Sequence, residues 1–265
     1  MYDRTMDAAH LLSKAGTLIG DASRSTMLWS LMGGESRPAS ELAMLANISP
    51  QTASNHLKLL VESGFVKVRA LGRNKFYRLS DGSVAAALES LATAANGKTV
   101  SSGLAQHVSP ELVFARTCYD HLAGELGVTI LAYLQSKSYL EAHKRDYTLT
   151  TSGEAFLRDL GVNLATAQAK RRRFAYACLD WSHRVPHLGG ALGAALLEWL
   201  LGGGLVVRRK ESRVLRITDR GRKHLQRAFA IRFARTGGAL LRPNAAPSAA
   251  FERFQFIQSA GPIRA

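Results

Sequence analysis

Two short segments of the C-terminal half carry residue types that bind metal ions or react as thiols. Their residues are Cys118, Asp120 and His121 in the first and Cys178, Asp180, His183 and His187 in the second. The chain has 2 cysteines in all, and each stands two residues before an aspartate. Thiolate, imidazole and carboxylate groups are ligands for zinc and similar ions. The two segments are therefore candidates for an effector, metal or redox site.

Three interpretations of these residues stay open. They can hold a metal or another ligand, they can form a redox thiol pair, or they can be structural. Cysteine is often a small buried hydrophobe, and an aspartate beside a histidine is often a helix cap or a buried hydrogen-bonded pair. Cys118 and His121 would share one face of a helix, and pairing the two segments would give four ligands. The spacing matches neither a zinc finger nor a Cys-x-x-Cys motif.

Both segments belong to an internal repeat. Residues 118–134 read CYDHLAGELGVTILAYL, and residues 178–200 read CLDWSHRVPHLGGALGAALLEWL. From His121 and His187 onward, His, Leu, Gly, Leu, Gly, Leu and Leu match at a constant offset. Each copy continues with a strand pair and a helix that opens on Thr-x-x-Gly, as at the wing end of winged-helix domains. The repeat predicts two degenerate winged-helix-like units, about 112–161 and 172–232, facing each other across a pseudo-two-fold axis.

Composition favours a globular protein with a polyanionic partner. The chain has 265 residues, 46% hydrophobic, and a formal net charge of +15. This length predicts about two domains, and the charge favours nucleic acid over an acidic membrane surface. Few cysteines and an N-terminus without a signal-peptide pattern predict the cytoplasm. The apolar run Leu188–Val207 contains Glu198 and Gly202–Gly204, which predicts a buried helix, a glycine turn and a strand rather than a membrane span.

The predicted domain organisation follows from segments rich in turn-forming and small residues and from the distribution of charge. We expect an N-terminal domain at 1–98, a linker at 99–107, a sensor domain at 108–236 and a flexible tail at 237–265. Trp181 and Trp199 are expected in the core. The basic run Lys170–Arg173 favours a solvated helix surface, with contact to DNA or an acidic ligand as the alternative, and whether the basic hairpin 208–216 touches DNA stays open. No catalytic motif stands out, so we expect no enzyme.

The first domain shows the pattern of a helix-turn-helix followed by a basic hairpin. Two helices open the chain, and a short third helix follows Pro38. Ser49 and Pro50 are a good N-cap and a good first helical residue for a helix over 51–63, which Gly64 ends. Two alternating strands then flank a turn at Gly72.

This order of elements has a use in DNA recognition, because a braced helix presents polar side chains to base edges while a basic hairpin contacts phosphates. The proposed DNA-contacting residues on the helix are Gln51, Thr52, Ser54, Asn55 and Lys58. The proposed phosphate contacts on the hairpin are Lys67, Arg69, Arg73, Lys75 and Arg78. The alternative is a solvated helix face and a surface loop.

The run from Leu18 to Leu79 resembles the ArsR/SmtB family of winged-helix regulators. The segments that carry the resemblance are IGDASRSTMLWSL, ASELAMLANIS, QTASNHLKLLVESGFV and GRNKFYRL. The resemblance implies a mainly α fold with small β-wings (α+β). It also implies a homodimer in which the first helix and the helix of about residues 82–95 pack across the two-fold axis, and repression at a palindromic operator.

The sequence departs from this family at its usual metal sites. Ala43 and Leu45 stand where metal sensors of the family carry a Cys-x-Cys pair, and residues 80–95 contain no histidine. An effector would therefore act elsewhere. We predict a sequence-specific DNA-binding transcriptional regulator, a repressor that responds to an unknown effector through its C-terminal domain. The alternatives are an architectural DNA-binding protein without an effector and a DNA-anchored thiol or metal module.

Overall fold

The fold is described from a computed structural model, which describes residues 4–72, 74–95 and 108–233. Arg73, the predicted linker 99–107 and the predicted tail 237–265 lie outside the described residues. Within those described ranges, no helix is long and apolar enough to cross a membrane.

The N-terminal part is a winged helix-turn-helix. Its elements are α1 (Arg4–Ile19), α2 (Ala22–Ser30), β1 (Arg37–Pro38), α3 (Ala39–Leu45), α4 (Pro50–Glu62), β2 (Val66–Leu71), β3 (Asn74–Leu79) and α5 (Gly82–Ala95). The predicted α+β fold class is confirmed. The sequence did not predict β1, which pairs with the middle of β3 through Arg37–Tyr77 and Pro38–Phe76 contacts.

Local signals set the ends of α4. The Ser49 side chain accepts a hydrogen bond from the backbone N–H of Thr52, and Pro50 is the first helical residue. Gly64 follows the helix with a φ of +78°, a left-handed conformation that glycine adopts without steric penalty. Ala53, Leu57 and Leu60 are buried on the inner face of the helix. The opposite face is left free to meet another molecule.

The C-terminal part repeats one sequence of elements. They are α6 (Pro110–Phe114), β4 (Arg116–Cys118), β5 (His121–Ala123), α7 (Glu125–Ser136), β6 (Leu140–His143), β7 (Asp146–Leu149), α8 (Thr151–Asp159), α9 (Leu164–Ala169), β8 (Tyr176–Leu179), β9 (Pro186–Gly189), α10 (Gly190–Gly202), β10 (Val206–Arg208), β11 (Leu215–Ile217) and α11 (Asp219–Phe229). Hairpin, helix, hairpin and helix occur in this order from β4 to α8 and again from β8 to α11. Thr150 and Thr218 cap the last helix of each copy through the N–H groups of Gly153 and Gly221.

The two copies exchange packing partners, because the helix that follows the first hairpin of each copy packs on a strand of the other copy. Helix α7 of the first copy packs on β9 of the second, α10 of the second packs on β5 of the first, and β5 lies beside β9. A Cβ atom on Gly127 would lie 3.5 Å from the Cβ atom of His187, and one on Gly193 would lie 3.2 Å from that of His121. These glycines let each helix approach the histidine strand of the other copy.

Two hydrophobic cores hold the chain together. The larger core lies among the repeats, around Leu126, Leu192 and Leu225. The smaller core belongs to the winged helix but also takes in Leu112, Trp181 and Val214. Trp181 is 3% exposed and makes an edge-to-face contact with Trp29, which confirms its expected place in the core. Trp199 is partly buried against the larger core. The segment 188–207 forms α10, a glycine turn and β10, as predicted.

Candidate functional site

The repeated cysteines and histidines meet in one cluster. Cys118 lies opposite His121 across the β4–β5 hairpin, and Cys178 lies opposite His187 across β8–β9. The four possible ligand atoms of these residues all lie within 4.8 Å of one another. The expectation that Cys118 and His121 share a helical face is wrong, because both lie in strands. Residues opposite each other in an antiparallel pair project to the same side of the sheet, which brings them as close as a helix would.

A carboxylate lies beside the outer nitrogen of each imidazole. Nδ1 of His121 is 3.2 Å from Oδ1 of Asp120, and Nδ1 of His187 lies 3.3 Å from Oδ2 of Asp180, within ion-pair distance but without hydrogen-bond alignment. The two Nε2 atoms face each other at 3.2 Å. Burial alone lowers the pKa of each histidine, but the aspartates and Cys118 outweigh it and raise both pKa values.

The two thiols are not equivalent. Hydrogen bonding to Cys178 and burial raise the pKa of Cys118 to about 12. The same hydrogen bond lowers the pKa of Cys178, which is only partly buried. The proton of the Cys118 thiol has two acceptors within reach. One is the sulfur of Cys178 and the other is Oε2 of Glu89, which lies 3.6 Å from the Cys118 sulfur. In this arrangement Cys178 is the cysteine that ionises more easily.

Each aspartate is matched by an arginine. Asp180 is fully buried, and its Oδ2 atom accepts hydrogen bonds from Arg116 at 3.0 Å and from the N–H of Gly124 at 2.8 Å. Burial alone raises the pKa of Asp180, but the Arg116 guanidinium and the neighbouring imidazoles hold it well below its ordinary value. Asp120 is paired with Arg172, and hydrogen bonds from His121 and then Arg172 lower its pKa to about 2.

Glu89 of α5 connects the cluster to the winged helix. This carboxylate is 7% exposed and accepts hydrogen bonds from Nε1 of Trp181 at 2.7 Å and from Arg213 at 2.6 Å, besides its contact with Cys118. Arg213 also donates to the carbonyl oxygens of Met32 and Thr117. Glu89 was not among the predicted site residues, although it is the sole charged residue of α5, a signal that could have marked it.

His183 does not reach the cluster. Its side chain lies beside Ser182, with Nδ1 3.0 Å from the hydroxyl and 3.5 Å from a carboxylate oxygen of Asp180. It belongs to the loop between β8 and β9, which carries the residues inserted in the second copy. Of the seven predicted residues, Cys118, His121, Cys178 and His187 are brought together, the two aspartates hold the imidazoles, and His183 stays outside.

A second candidate site is the outer face of α4. Gln51, Thr52, Ser54, Asn55 and Lys58 are all exposed. Four of them follow the i, i+3, i+4, i+7 spacing of one helix face, and Thr52 lies beside that face. The arrangement presents donors and acceptors at the N-terminal end of a braced helix.

The hairpin of β2 and β3 places basic side chains on one outer face. Lys67 lies directly opposite Arg78, and Arg69 stands two residues further along β2 on the same side. Lys67, Arg69, Lys75 and Arg78 are exposed. Lys75 pairs with Ala70 and so points to the other face. Like charges directly opposite each other are unfavourable unless an anion lies between them.

Several residues of the other basic segments form ion pairs within the chain, while Arg171, Arg208, Lys210 and Arg216 are exposed. Arg172 and Arg173 contact Asp120 and Asp146, and the Arg173 guanidinium lies 4.4 Å from the Tyr176 ring centre. The run 170–173 follows α9 in an irregular segment. In the β10–β11 hairpin, Arg209 pairs with Glu35 and Glu111.

Comparisons with known proteins identify a helix-turn-helix domain in the N-terminal part. Residues 19–69 match a family described as a helix-turn-helix domain. The chain is 43% identical over 218 residues to the uncharacterized HTH-type transcriptional regulator YdfF of Bacillus subtilis (strain 168), an alignment that covers 81% of this chain and 96% of YdfF. This alignment is longer than the N-terminal domain and therefore extends into the repeats.

Similar solved structures cover the N-terminal part. One is the homodimeric winged helix-turn-helix DNA-binding domain of Mb0332 from Mycobacterium bovis, with 23% identity, a TM-score of 0.33, and coverage of 36% of this chain and 87% of that chain. Another is the transcriptional repressor BigR from Xylella fastidiosa, with 24% identity, a TM-score of 0.32, and coverage of 37% and 100%.

Proposed function

Because this chain belongs to the family of helix-turn-helix transcriptional regulators, we propose that it is a repressor of the ArsR type that binds a palindromic operator as a homodimer. The observation that carries the proposal is the exposed polar face of α4 beside the basic outer face of β2 and β3. In this arrangement α4 enters the major groove and reads bases, while Lys67, Arg69 and Arg78 contact the flanking phosphates.

A phosphate between Lys67 and Arg78 would relieve the repulsion of this cross-strand pair. The wing therefore gains more from an anion than a hairpin with mixed charges would. The overall charge of +15 acts in the same direction, because neutralising phosphates releases condensed counterions. A DNA-binding regulator works beside chromosomal DNA, which fits the predicted cytoplasmic location.

Exposed apolar side chains support the dimer. Leu11 and Leu12 on α1 are 63% and 72% exposed, and Leu91 on α5 is 46% exposed. These are the two helices that the family resemblance places at the two-fold axis. Packing them against a second copy would remove this apolar surface from water.

We further propose that the repeats carry the effector response and that the protein acts by binding rather than by catalysis. An effector shifts DNA binding only if it favours one arrangement of the protein over another. Glu89 connects the site of such an effector to the winged helix, since it joins the Cys/His cluster to α5.

Competition binding to the protein's own promoter tests this function. The full chain should bind a short palindrome about 10³-fold or more tightly than random DNA of equal length, and footprinting should protect that palindrome. Equal affinity for both DNAs would favour the architectural alternative and contradict a sequence-specific regulator.

A further inference from the structure

We propose that Cys118, His121, Cys178 and His187 bind one divalent cation of the zinc class and that metal occupancy changes the contacts of Glu89 on α5. The metal site stands independently of the proposed function. Its effect on DNA binding rests on that function.

The donor atoms already lie close to the spacing that a tetrahedral zinc site requires. With zinc–sulfur bonds of about 2.3 Å and zinc–nitrogen bonds of about 2.0 Å, the ligand atoms of a tetrahedron are about 3.3 to 3.8 Å apart. The Nε2 atoms of His121 and His187 are 3.2 Å apart, and no pair among the four donors exceeds 4.8 Å. A pair at this upper limit would have to contract by about 1 Å to match the zinc geometry.

The imidazoles are oriented as metal ligands are. Metal-bound histidine generally directs its other ring nitrogen at a carboxylate, which fixes the ring and raises its basicity. Asp120 and Asp180 occupy these positions beside the Nδ1 atoms. The two Nε2 atoms face each other at 3.2 Å inside the protein. A cation bound by both would replace this contact with two metal–nitrogen bonds.

Charge balance permits a buried ion. Two thiolates neutralise a divalent cation, Arg116 neutralises Asp180, and Arg172 neutralises Asp120. The cluster thus gains no net charge when the metal replaces the two thiol protons. An unbalanced charge would be costly at a place where both histidines are 3% exposed or less.

The ligand set selects the class of metal. Two thiolates and two imidazoles in a tetrahedron suit Zn²⁺, whereas Mg²⁺ and Ca²⁺ prefer oxygen ligands. All four positions are filled by protein side chains, the pattern of sites that hold a metal without exposing it to substrate.

Cys118 links the site to α5. Its sulfur lies 3.6 Å from Oε2 of Glu89, one of the two acceptors for the thiol proton, and coordination to a metal replaces the thiol with a thiolate that can no longer donate. Glu89 then loses one hydrogen bond and meets a negatively charged sulfur, while the bonds from Trp181 and Arg213 still hold it. The result is a displacement of Glu89 away from Cys118, and with it a changed position of α5.

Cobalt titration of the reduced full-length chain tests the site. One Co²⁺ per chain should bind, with the visible bands of tetrahedral cobalt and a thiolate-to-cobalt charge-transfer band. Zn²⁺ should displace it and Mg²⁺ should not. Cys178→Ser and His187→Gln should weaken binding about 100-fold or more, since ligand loss exceeds the effect of losing an outer-shell partner. The exposed His143→Gln is the matched control and should bind as the wild type does.

Melting curves of the variants show whether each one is folded, so that loss of a metal ligand can be told apart from unfolding. Cys178 is the less buried cysteine, so its serine variant should stay folded and show the loss of cobalt binding directly. Reduced wild-type protein without cobalt bands overturns the metal site, and so does a folded Cys178→Ser chain with unchanged cobalt affinity. Formation of a Cys118–Cys178 disulfide by a chain that binds no cobalt would assign the cluster to thiol redox chemistry instead.

A separate titration tests the link to α5. Saturating Zn²⁺ should change the DNA affinity of the wild type about 5-fold or more. In Glu89→Gln and Trp181→Phe, zinc binding measured against a chelator should persist while this change shrinks. An unchanged wild-type DNA affinity overturns the link. Absence of any specific DNA binding, with cobalt bands intact, would instead contradict the proposed function and leave the metal site in place.

Discussion

At the scale of single residues, the chain separates side chains that support the fold from side chains that meet other molecules. On α4, Ala53 and Leu57 face the core while Gln51 and Asn55 face outward. The α-helical period separates these roles, so both could be predicted from the sequence. Glu89 stands out in the sequence only as the single charged residue of α5, and neither its contacts nor those of Arg116 could be predicted, because their partners come from distant parts of the chain.

The first prediction concerns base reading. Gln51→Ala and Asn55→Ala should each weaken operator binding by about 1–3 kcal/mol and random-DNA binding much less, because a base contact is lost while phosphate contacts remain. Fluorescence anisotropy on both DNAs measures the difference. Gln226→Ala, an exposed glutamine on α11, is the control and should change neither. Equal losses on the two DNAs would remove this face from base readout.

The second prediction concerns the opposed charges of the wing. Lys67→Ala and Arg78→Ala should each weaken binding to all DNA and lower the salt slope by about 1. The free energy of unfolding should stay constant or rise by about 0.2–1 kcal/mol, because a like-charge cross-strand pair is removed. Exposed Lys144 supplies the control, Lys144→Ala. A salt slope equal to that of the wild type would place the wing outside the interface.

At the scale of elements, helix ends set by neighbouring residues could be predicted from the sequence, whereas short strands fixed by distant contacts could not. The Ser49-Pro50 start and the Gly64 stop lie beside α4, and its predicted bounds were within one residue of those found. The hairpins that carry the cluster have strands as short as Arg116–Cys118. Such strands have little periodicity of their own and are fixed by contact with the other copy, so the sequence suggested a helix instead. The repeat still indicated correctly which residues would meet.

The third prediction concerns the close approach of α10 to β5. Gly193→Ala should lower the free energy of unfolding by about 1–3 kcal/mol, because the added methyl group meets the Leu188 carbonyl oxygen and the Cβ atom of His121. Gly202→Ala in the same helix faces open space and should be neutral or stabilising by up to about 1 kcal/mol. Chemical denaturation measures both. Equal effects of the two substitutions would contradict the close packing.

At the scale of the whole molecule, the winged helix and the repeats share contacts that the expectation of two domains does not describe. Ser212 and Arg213, in the loop between β10 and β11, bind the carbonyl oxygen of Gly33 just after α2. Trp181 lies in the smaller core beside Trp29. Long-range contacts of this kind have no local signature, which is why the sequence predicted the parts but not how they join.

The fourth prediction concerns assembly. Leu12→Asp combined with Leu91→Asp should give a monomer, because charges would replace the apolar side chains proposed to pack across the two-fold axis. Light scattering after gel filtration gives the mass, and operator affinity should fall with it. Val207→Asp, at an exposed apolar residue of β10, should leave the mass unchanged. A double variant with the wild-type mass would exclude α1 and α5 as the interface.

The exchange of packing between the repeats also bears on the order in which the protein forms during synthesis. His187 follows Cys118 by 69 positions (187 − 118), which at about 5–20 residues per second takes on the order of 3 to 14 seconds to translate. Through that interval α7 has no β9 to cover it, and the first hairpin has half of the cluster. All residues of the DNA-reading surface have been synthesised by then, but Trp181 and Val214, which complete the smaller core, follow during or after that interval. The winged helix and the cluster therefore complete their packing late and close together in synthesis.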